Sequence, residues 1–132
     1  MTHLRGVKPV LFPDREPLTK APPMPKRFND HARAEWKRVI PRLIADRIIT
    51  KADLAGVENY CMAVGTVNQI TDLMAEMAIP DLKLGGLQIR YMQTARQLAA
   101  EYGLTPTSRA RVGSHAPDDD TDNPLAIGRN RR

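Results

Sequence analysis

The sequence predicts an all-α protein: a small helical bundle built around a long antiparallel helix hairpin. Three observations lead to this fold class. Apolar residues recur at spacings of three and four over long stretches, the alternation typical of strands is missing, and capping residues, prolines and glycines separate the periodic stretches. The 132 residues suffice for one compact domain. We therefore expect a flexible arm over residues 1–28, a helical domain over 29–112 and a disordered tail over 113–132.

The predicted arm is rich in proline and in positive charge. Six prolines lie between residues 9 and 25, and each fixes φ and removes an amide donor, so no helix is expected there. The first 38 residues hold nine Lys and Arg against four Asp and Glu, which equals the net charge of +5 of the whole chain. A surface that binds an anionic partner is therefore best sought in this part.

A first helix is expected to begin at Asn29 or Asp30, since either residue can cap an N-terminus. An apolar stripe with helical spacing follows. Pro41 lies off this stripe and removes one main-chain hydrogen bond, so we expect a kink there, or two short helices with Pro41 starting the second. The stripe consists of Trp36, Val39, Ile40, Leu43 and Ile44.

A long second helix is predicted to run from about Thr50 to Ala78. Thr50 and Asp53 resemble a capping box, with Asp in place of the usual Glu. The helix carries two apolar stripes, which implies two neighbours: the first helix, and either a later helix or another subunit. One stripe alternates at three and four, as packed seams do. We predict an oligomer interface from residues of this seam and the next helix, namely Tyr60, Val67, Ile70, Met74, Met77 and Tyr91.

Pro80 is expected to end the second helix, and residues 81–86 to form a turn, because Gly85 and Gly86 can adopt backbone angles that are closed to other residues. A third helix is predicted over residues 87–102. The short connection favours an antiparallel hairpin.

The segment after the third helix has the signals of a helical corner. Gly103 is expected to end the third helix, Thr105 to cap a short fourth helix, and Pro106 to occupy its first turn. This element would present Arg109 and Arg111.

A helix-turn-helix is an alternative for the N-terminal side of the domain. The first helix, the turn at residues 46–50 and the start of the second helix have suitable lengths. A simple helical corner is equally compatible with them.

The motifs that usually indicate catalysis are missing, and we expect a protein that is not an enzyme. The sequence has no Walker-type phosphate loop, and its three histidines lack metal-ligand spacing, so no metal and no cofactor are predicted. The single cysteine, Cys61, lies in an apolar helical pattern and is expected in the core, which fits a reducing compartment. No apolar run is long enough to span a membrane.

Positive side chains on the first helix and the arm predict contact with DNA phosphates, because a helix holds cations at fixed points. The alternative is a solvated helix face. The predicted DNA contacts are Arg27, Arg33, Lys37, Arg38, Arg42 and Lys51. Arg109 and Arg111 form a second rank, for which helix capping or an intersubunit ion pair is the alternative role.

The order of these features resembles the small subunit of bacteriophage terminases. The resemblance begins near residues 34–38, continues through 49–53 and Tyr60-Cys61, and closes on the run Gly-Leu-Thr-Pro-x-Ser-Arg at residues 103–109. Two positions depart from the family pattern. Arg47 stands where a glycine is usual, and Gly85-Gly86 fill the region of a common Asn-Pro pair.

The resemblance implies a non-catalytic packaging subunit that acts in the cytoplasm of the infected host cell. Such a protein is expected to form a homo-oligomeric ring, to bind double-stranded viral DNA at the start of packaging, and to regulate the large ATPase and nuclease subunit. The predicted tail would then be a docking peptide for that subunit. Two other functions remain open: a small dimeric helix-turn-helix transcriptional regulator, and a protein-interaction scaffold that does not bind DNA.

Overall fold

The computed structural model describes residues 16–113, and in this part of the chain every regular element is helical. Helix α1 spans Asp30–Ala45, α2 Leu54–Ala75, α3 Leu82–Glu101 and α4 Pro106–Gly113, with one 3₁₀ turn at Lys51–Asp53 before α2. The predicted all-α fold class is confirmed.

Helix α2 lies at the centre of the domain. It packs against α1 and against α3, whereas the backbones of α1 and α3 do not approach each other within the described structure. The N-terminal end of α1 contacts the second half of α2, where Asn29 donates to Gln69 at 3.4 Å. The N-terminal half of α3 also contacts that part of α2, through Gln88. Both outer helices therefore run antiparallel to α2, and the two neighbours predicted for α2 are α1 and α3.

Helix α1 is one continuous helix that begins at the predicted residue. The Asn29 side chain accepts a hydrogen bond from the Ala32 amide at 2.8 Å, which satisfies one of the free donors of the first turn. The helix continues through Pro41, so the alternative of two short helices is wrong. Pro41 is exposed on the outer side, and the buried residues Ile40 and Leu43 hold the helix in place around it.

Helix α1 ends in a C-terminal cap of the type in which a glycine usually occupies the left-handed position. The Ile48 amide donates to the Leu43 carbonyl at 3.0 Å, across a residue in the left-handed region. That residue is Arg47, with φ 53°. The same position was noted as a departure from the family pattern, and here the arginine adopts the conformation that glycine adopts without strain.

The start of α2 confirms the predicted capping box. The Asp53 side chain accepts from the Thr50 amide at 2.9 Å, and the reciprocal bond to the Thr50 side chain is also present. Gly65, farther along α2, allows a close approach of α1, since an added Cβ would lie 2.8 Å from Ala32 Cβ.

Helix α3 begins at Leu82, so the predicted turn over residues 81–86 is wrong. The Asp81 side chain accepts from the Leu84 amide at 2.9 Å and caps the helix. Gly85 and Gly86 lie inside its first turns. Each glycine costs only about 1 kcal/mol relative to alanine, which the cap and the contacts with α2 offset.

The corner between α3 and α4 is as predicted. Gly103 has φ 68°, and the Leu104 amide donates to the Ala99 carbonyl at 2.9 Å, which ends α3. The Thr105 side chain then accepts from the Ser108 amide at 3.2 Å, and Ser108 Oγ accepts from the Thr105 amide at 3.1 Å. This reciprocal pair caps α4 and leaves Ser108 buried.

Residues 16–28, which we call the strap, are extended but packed on the core. The Leu18 amide donates to the Ile49 carbonyl at 2.9 Å, and the Leu18 and Met24 side chains lie against the buried cluster. Phe28 is buried edge-to-face on Trp36, with ring centroids 5.7 Å apart. The prolines thus exclude a helix, as expected, but apolar residues join this part of the predicted arm to the domain. The rest of that arm and residues 114–132 of the predicted tail lie outside the described residues.

The core lies between α1, the first half of α2, the last turns of α3 and the strap. Cys61 is buried in it, and burial raises the pKa of its thiol to about 12, so it is an inert core residue as predicted. The largest fully buried side chains are Ile40, Leu43, Ile49, Val39, Val57 and Cys61.

Candidate nucleic-acid interface

The outer face of α1 collects four of the predicted DNA contacts on one rigid element. The inner face of α1 is held in the core by Trp36, Val39 and Leu43, and the helix cannot rotate without exposing them. Its cations therefore project outward at fixed positions. They are Arg33, Lys37, Arg38 and Arg42, and all four are exposed.

Arg33 and Lys37 are the two cations of this face without a carboxylate partner. Among residues 16–113, no carboxylate oxygen lies within 4.0 Å of either head group. They are four residues apart and so are neighbours on the helix surface. Within the described residues, an anion that reaches these two cations does not have to displace a carboxylate.

Arg38 is instead part of a polar network between α1 and α2. Its Nε donates to Glu35 Oε2 at 3.0 Å, and its Nη2 donates to Glu35 Oε1. The Tyr60 hydroxyl donates to the same Oε1 at 2.7 Å. The Glu35 side chain is only 11% exposed, against 65% for Arg38, so a nearly buried carboxylate holds an exposed guanidinium.

The network sets the ionisation of its members. Burial of Glu35 opposes its charge, but the hydrogen bonds from Arg38 and Tyr60 and the charge of Arg38 outweigh burial and lower the pKa of the carboxyl. The hydrogen bond to Glu35 raises the pKa of Arg38. Burial, followed by the bond to Glu35, raises the pKa of Tyr60. Glu35 and Arg38 are therefore an ion pair at neutral pH, and part of the charge of Arg38 is neutralised.

Two further predicted contacts carry weak surface ion pairs. Arg42 Nε lies 3.6 Å from Asp46 Oδ2, and Arg27 Nη2 lies 2.6 Å from Glu58 Oε2. Pairs this exposed contribute little to stability and exchange readily. Both guanidinium groups stay more than half exposed and can turn to an external phosphate.

The remaining predicted contacts lie on other elements. Lys51 is exposed in the 3₁₀ turn before α2, and Arg109 is exposed on α4, which packs against α3. The backbone of Arg111 lies in α4, but its side chain is outside the description. The structure thus places four of the eight predicted residues at exposed positions of one helix, α1.

The predicted oligomer residues mostly lie inside the protomer. Tyr60 and Ile70 are 6% and 4% exposed, and Val67 and Met74 are half-buried. Gln88 Nε2 of α3 donates to the Val67 carbonyl at 2.9 Å, so α2 meets α3 of the same chain at Val67, whereas the Tyr60 hydroxyl bonds to Glu35 of α1. Met77 and Tyr91 remain exposed at 39% and 36%.

Sequence reasoning missed several exposed residues of α3. The cations Lys83, Arg90 and Arg96 are exposed, and so are the apolar residues Leu82 and Ile89. The sequence contains these residues at helical spacing. Leu82 and Lys83 nevertheless fell outside the predicted third helix, because that helix was expected to begin only at residue 87. The apolar pattern alone also does not tell which face of a helix is uncovered.

Two kinds of feature are missing from the described residues. In residues 16–113 no helix is both long and apolar enough to cross a membrane. The same part of the chain contains no group of three His, Cys, Asp or Glu side chains arranged to hold a metal ion.

Comparison with known proteins identifies the family. The model of the family described as "Phage terminase, small subunit" matches residues 32–119, which is two thirds of the chain. The match includes most of α1, the whole of α2 and α3, and the corner leading into α4. Searches of curated proteins and of solved structures gave no significant match. The chain therefore belongs to the family of phage terminase small subunits.

Proposed function

We propose that this chain is an oligomeric DNA-binding adaptor for phage packaging, without catalytic activity of its own. As a member of its family, the chain has its role in phage packaging. The finer steps of the proposal are that it binds double-stranded viral DNA, presents it to the large terminase subunit, and regulates that subunit in the cytoplasm of the infected cell.

The observation that carries the proposal is the outer face of α1. Arg33 and Lys37 are exposed, uncompensated within the described chain, and fixed by a helix whose other side is buried. Phosphate contacts need this combination of charge and position. Arg42 and Arg27 extend the surface, because their ion pairs are exposed and weak.

An oligomer would strengthen this binding. Each protomer offers a modest number of cations, and several protomers on one DNA repeat them, so that the binding free energies add through multivalency. The proposal keeps Met77 and Tyr91 as candidate interface residues because both are exposed. Tyr60 and Ile70 are buried within the protomer, so their side chains have little exposed surface with which to contact another subunit.

The helix-turn-helix regulator is less well supported than the adaptor. In that fold the second helix enters the major groove. Helix α2 carries no Lys or Arg, its charged residues are Glu58 and Asp72, and α1 and α3 cover two of its sides. A helix with acidic charge only is repelled by the phosphates on both sides of the groove.

DNA binding at several salt concentrations tests the proposal. Removing two charges in the double variant Arg33→Gln/Lys37→Gln is expected to weaken binding to duplex DNA. The logarithm of the association constant decreases linearly with the logarithm of the salt concentration. The magnitude of this slope should become smaller by about 0.9 for each phosphate contact removed. Fluorescence anisotropy with a labelled duplex between low and physiological salt measures both quantities.

The single variant Lys37→Gln has a matched control in Arg96→Gln, which also removes one charge. The latter variant removes one exposed charge from α3, whose backbone makes no contact with α1 within the described residues, and should leave the salt slope unchanged. Equal effects of Lys37→Gln and Arg96→Gln would mean that net charge, and not the α1 face, governs binding. Wild-type protein that does not bind duplex DNA at low salt would overturn the proposal in favour of a scaffold.

A further inference from the structure

Arg38 differs from its neighbours on α1 in that its head group has a fixed orientation. Arg33 and Lys37 have no carboxylate partner within the described residues, so no ion pair there fixes their head groups. Arg38 donates with two nitrogens to the Glu35 carboxylate, from Nε to Oε2 at 3.0 Å and from Nη2 to Oε1. Two parallel bonds of this kind fix the plane of a guanidinium as well as its position.

Glu35 is itself anchored, and its anchor lies on another helix. Its side chain is only 11% exposed. Its Oε1 accepts a hydrogen bond at 2.7 Å from the hydroxyl of Tyr60, a buried residue of α2. A continuous chain of hydrogen bonds therefore leads from α2 through Glu35 to Arg38. The packing of two helices, and not only the rotamer of Arg38, sets where the guanidinium lies.

One edge of the Arg38 guanidinium remains available to a ligand. A guanidinium carries five N–H donors in a rigid fork, and Glu35 uses only the edge formed by Nε and Nη2. Within residues 16–113, Nη1 donates no hydrogen bond, and Tyr60 Oη lies 3.5 Å from Nη2, which is longer than an ordinary hydrogen bond. The Arg38 side chain is 65% exposed. Its free edge matches two oxygens of a phosphate group.

Stability alone does not account for this network. Removing a carboxylate from water is costly, and the attraction to its partner gains little beyond that cost, so an apolar pair stabilises a fold about as well as a nearly buried ion pair. An apolar pair would not, however, present an oriented charge at the surface. The orientation of Arg38 is therefore the property that the Glu35 and Tyr60 side chains supply.

We propose that Glu35 and Tyr60 are positioning residues, which hold the Arg38 guanidinium for a two-point contact with one DNA phosphate. The inference rests on the proposed function, because it names how one residue of α1 engages the DNA. A side chain that is ordered before binding loses less conformational entropy when the complex forms. An acidic residue thereby promotes the binding of a polyanion, which is the opposite of what its charge alone predicts.

This opposition of signs provides the first test. Glu35→Gln and Asp46→Asn each remove the carboxylate partner of an arginine on α1 and raise the net charge by one. On charge alone, both variants should bind duplex DNA more tightly. Under the proposal, Glu35→Gln instead weakens binding by about three- to tenfold, because Arg38 must be ordered during binding. Fluorescence anisotropy with a labelled duplex at low salt measures the affinities.

Asp46→Asn is the matched control for this variant. Asp46 lies 3.6 Å from Arg42, and both side chains of that pair are more than half exposed. Such a pair orients its arginine weakly. Asp46→Asn should therefore bind DNA at least as tightly as the wild-type protein.

A double-mutant cycle separates positioning from a merely structural role. Tyr60→Phe removes the hydroxyl that anchors Glu35 and changes no charge, so it should weaken binding severalfold while the salt slope stays the same. In the Arg38→Gln background the same substitution should have no further effect, because its target is gone. A structural role of Tyr60 would weaken binding in both backgrounds. Melting temperatures establish that every variant is folded at the assay temperature.

Arg38→Lys tests the contact itself at an exposed position. Lysine keeps the charge and can still pair with Glu35, but it lacks the planar fork, so this variant should lose about as much affinity as Glu35→Gln. An equal loss on duplexes of unrelated sequence supports a phosphate contact. A loss confined to one duplex sequence would overturn that assignment in favour of a base edge.

The outcomes separate the inference from the proposed function. If wild-type protein binds duplex DNA and Glu35→Gln binds as tightly or more tightly, the positioning proposal is overturned and the adaptor proposal stands. The same holds if Tyr60→Phe has equal effects with and without Arg38. If wild-type protein binds no duplex at low salt, the adaptor fails, and the positioning proposal fails with it.

Discussion

At the scale of single residues, Arg47 is the clearest case of local strain. A non-glycine residue in the left-handed region costs about 1–2 kcal/mol because Cβ crowds the following carbonyl. Arg47 has φ 53° and is exposed at the end of α1, where its side chain makes no hydrogen bond or ion pair with the described residues. The surrounding core holds this conformation, since Leu43 and Ile49 on either side are both buried.

Arg47→Gly is therefore expected to stabilise the protein by about 1 kcal/mol. Urea unfolding followed by circular dichroism measures the change. Arg47→Ala is the control, because alanine keeps the Cβ and should change stability by only a few tenths of a kcal/mol. An equal gain from both variants would attribute the effect to the arginine charge and not to the backbone.

Glu35 is the residue whose ionisation links stability to pH. Its pKa in the folded protein is lowered by the bonds from Arg38 and Tyr60 despite burial, so folding favours the charged carboxylate. The stabilisation is present above the unfolded pKa of about 4.3 and is lost as the pH falls through the lower folded value.

Wild-type protein should therefore lose more stability than Glu35→Gln between about pH 5 and pH 3. Glutamine keeps a similar shape but cannot ionise. Melting temperatures of both proteins over this pH range provide the measurement. Parallel curves would show that Glu35 does not contribute to the acid sensitivity.

At the scale of helices, glycines serve opposite roles in α2 and α3. Gly65 lies where α1 packs tightly on α2, and an added Cβ would lie 2.9 Å from the Ala32 backbone nitrogen. Gly85 has no neighbour within 4 Å of such a Cβ. The same substitution therefore has different consequences at the two positions.

Gly85→Ala should stabilise the protein by about 1 kcal/mol through helix propensity. Gly65→Ala should destabilise it by about 1–3 kcal/mol, because α1 must shift away from α2. Each variant is the control of the other, since both add one methyl group inside a helix. Chemical unfolding distinguishes them, and a change of the same sign in both would contradict the packing argument.

At the scale of the whole molecule, the order of the helices separates two surfaces. Helix α1, with its cations, and helix α3, with its exposed apolar residues, both pack on α2, and their backbones make no contact with each other in the described residues. Under our proposals, DNA binding and self-association are therefore separable.

Local signals in the sequence were sufficient for most helix boundaries. Asn29, the Thr50–Asp53 box and the Gly103–Thr105 corner act within a few residues through caps and turn conformations, and the structure contains each of them. Helix α3 begins earlier than predicted because the Asp81 side chain caps a helix that continues through Gly85 and Gly86.

The sequence by itself determined the helical class, the caps and the cationic face of α1, because periodicity and capping depend on neighbours only three or four residues away. Only the tertiary structure decided which partner each apolar face meets. Helix α2 meets α3 of the same chain at Val67, the strap covers the core, and Glu35 of α1 meets Tyr60 across 25 positions of sequence. An apolar or charged side chain favours burial or pairing with any suitable partner, and the packing of the whole chain selects which one it is.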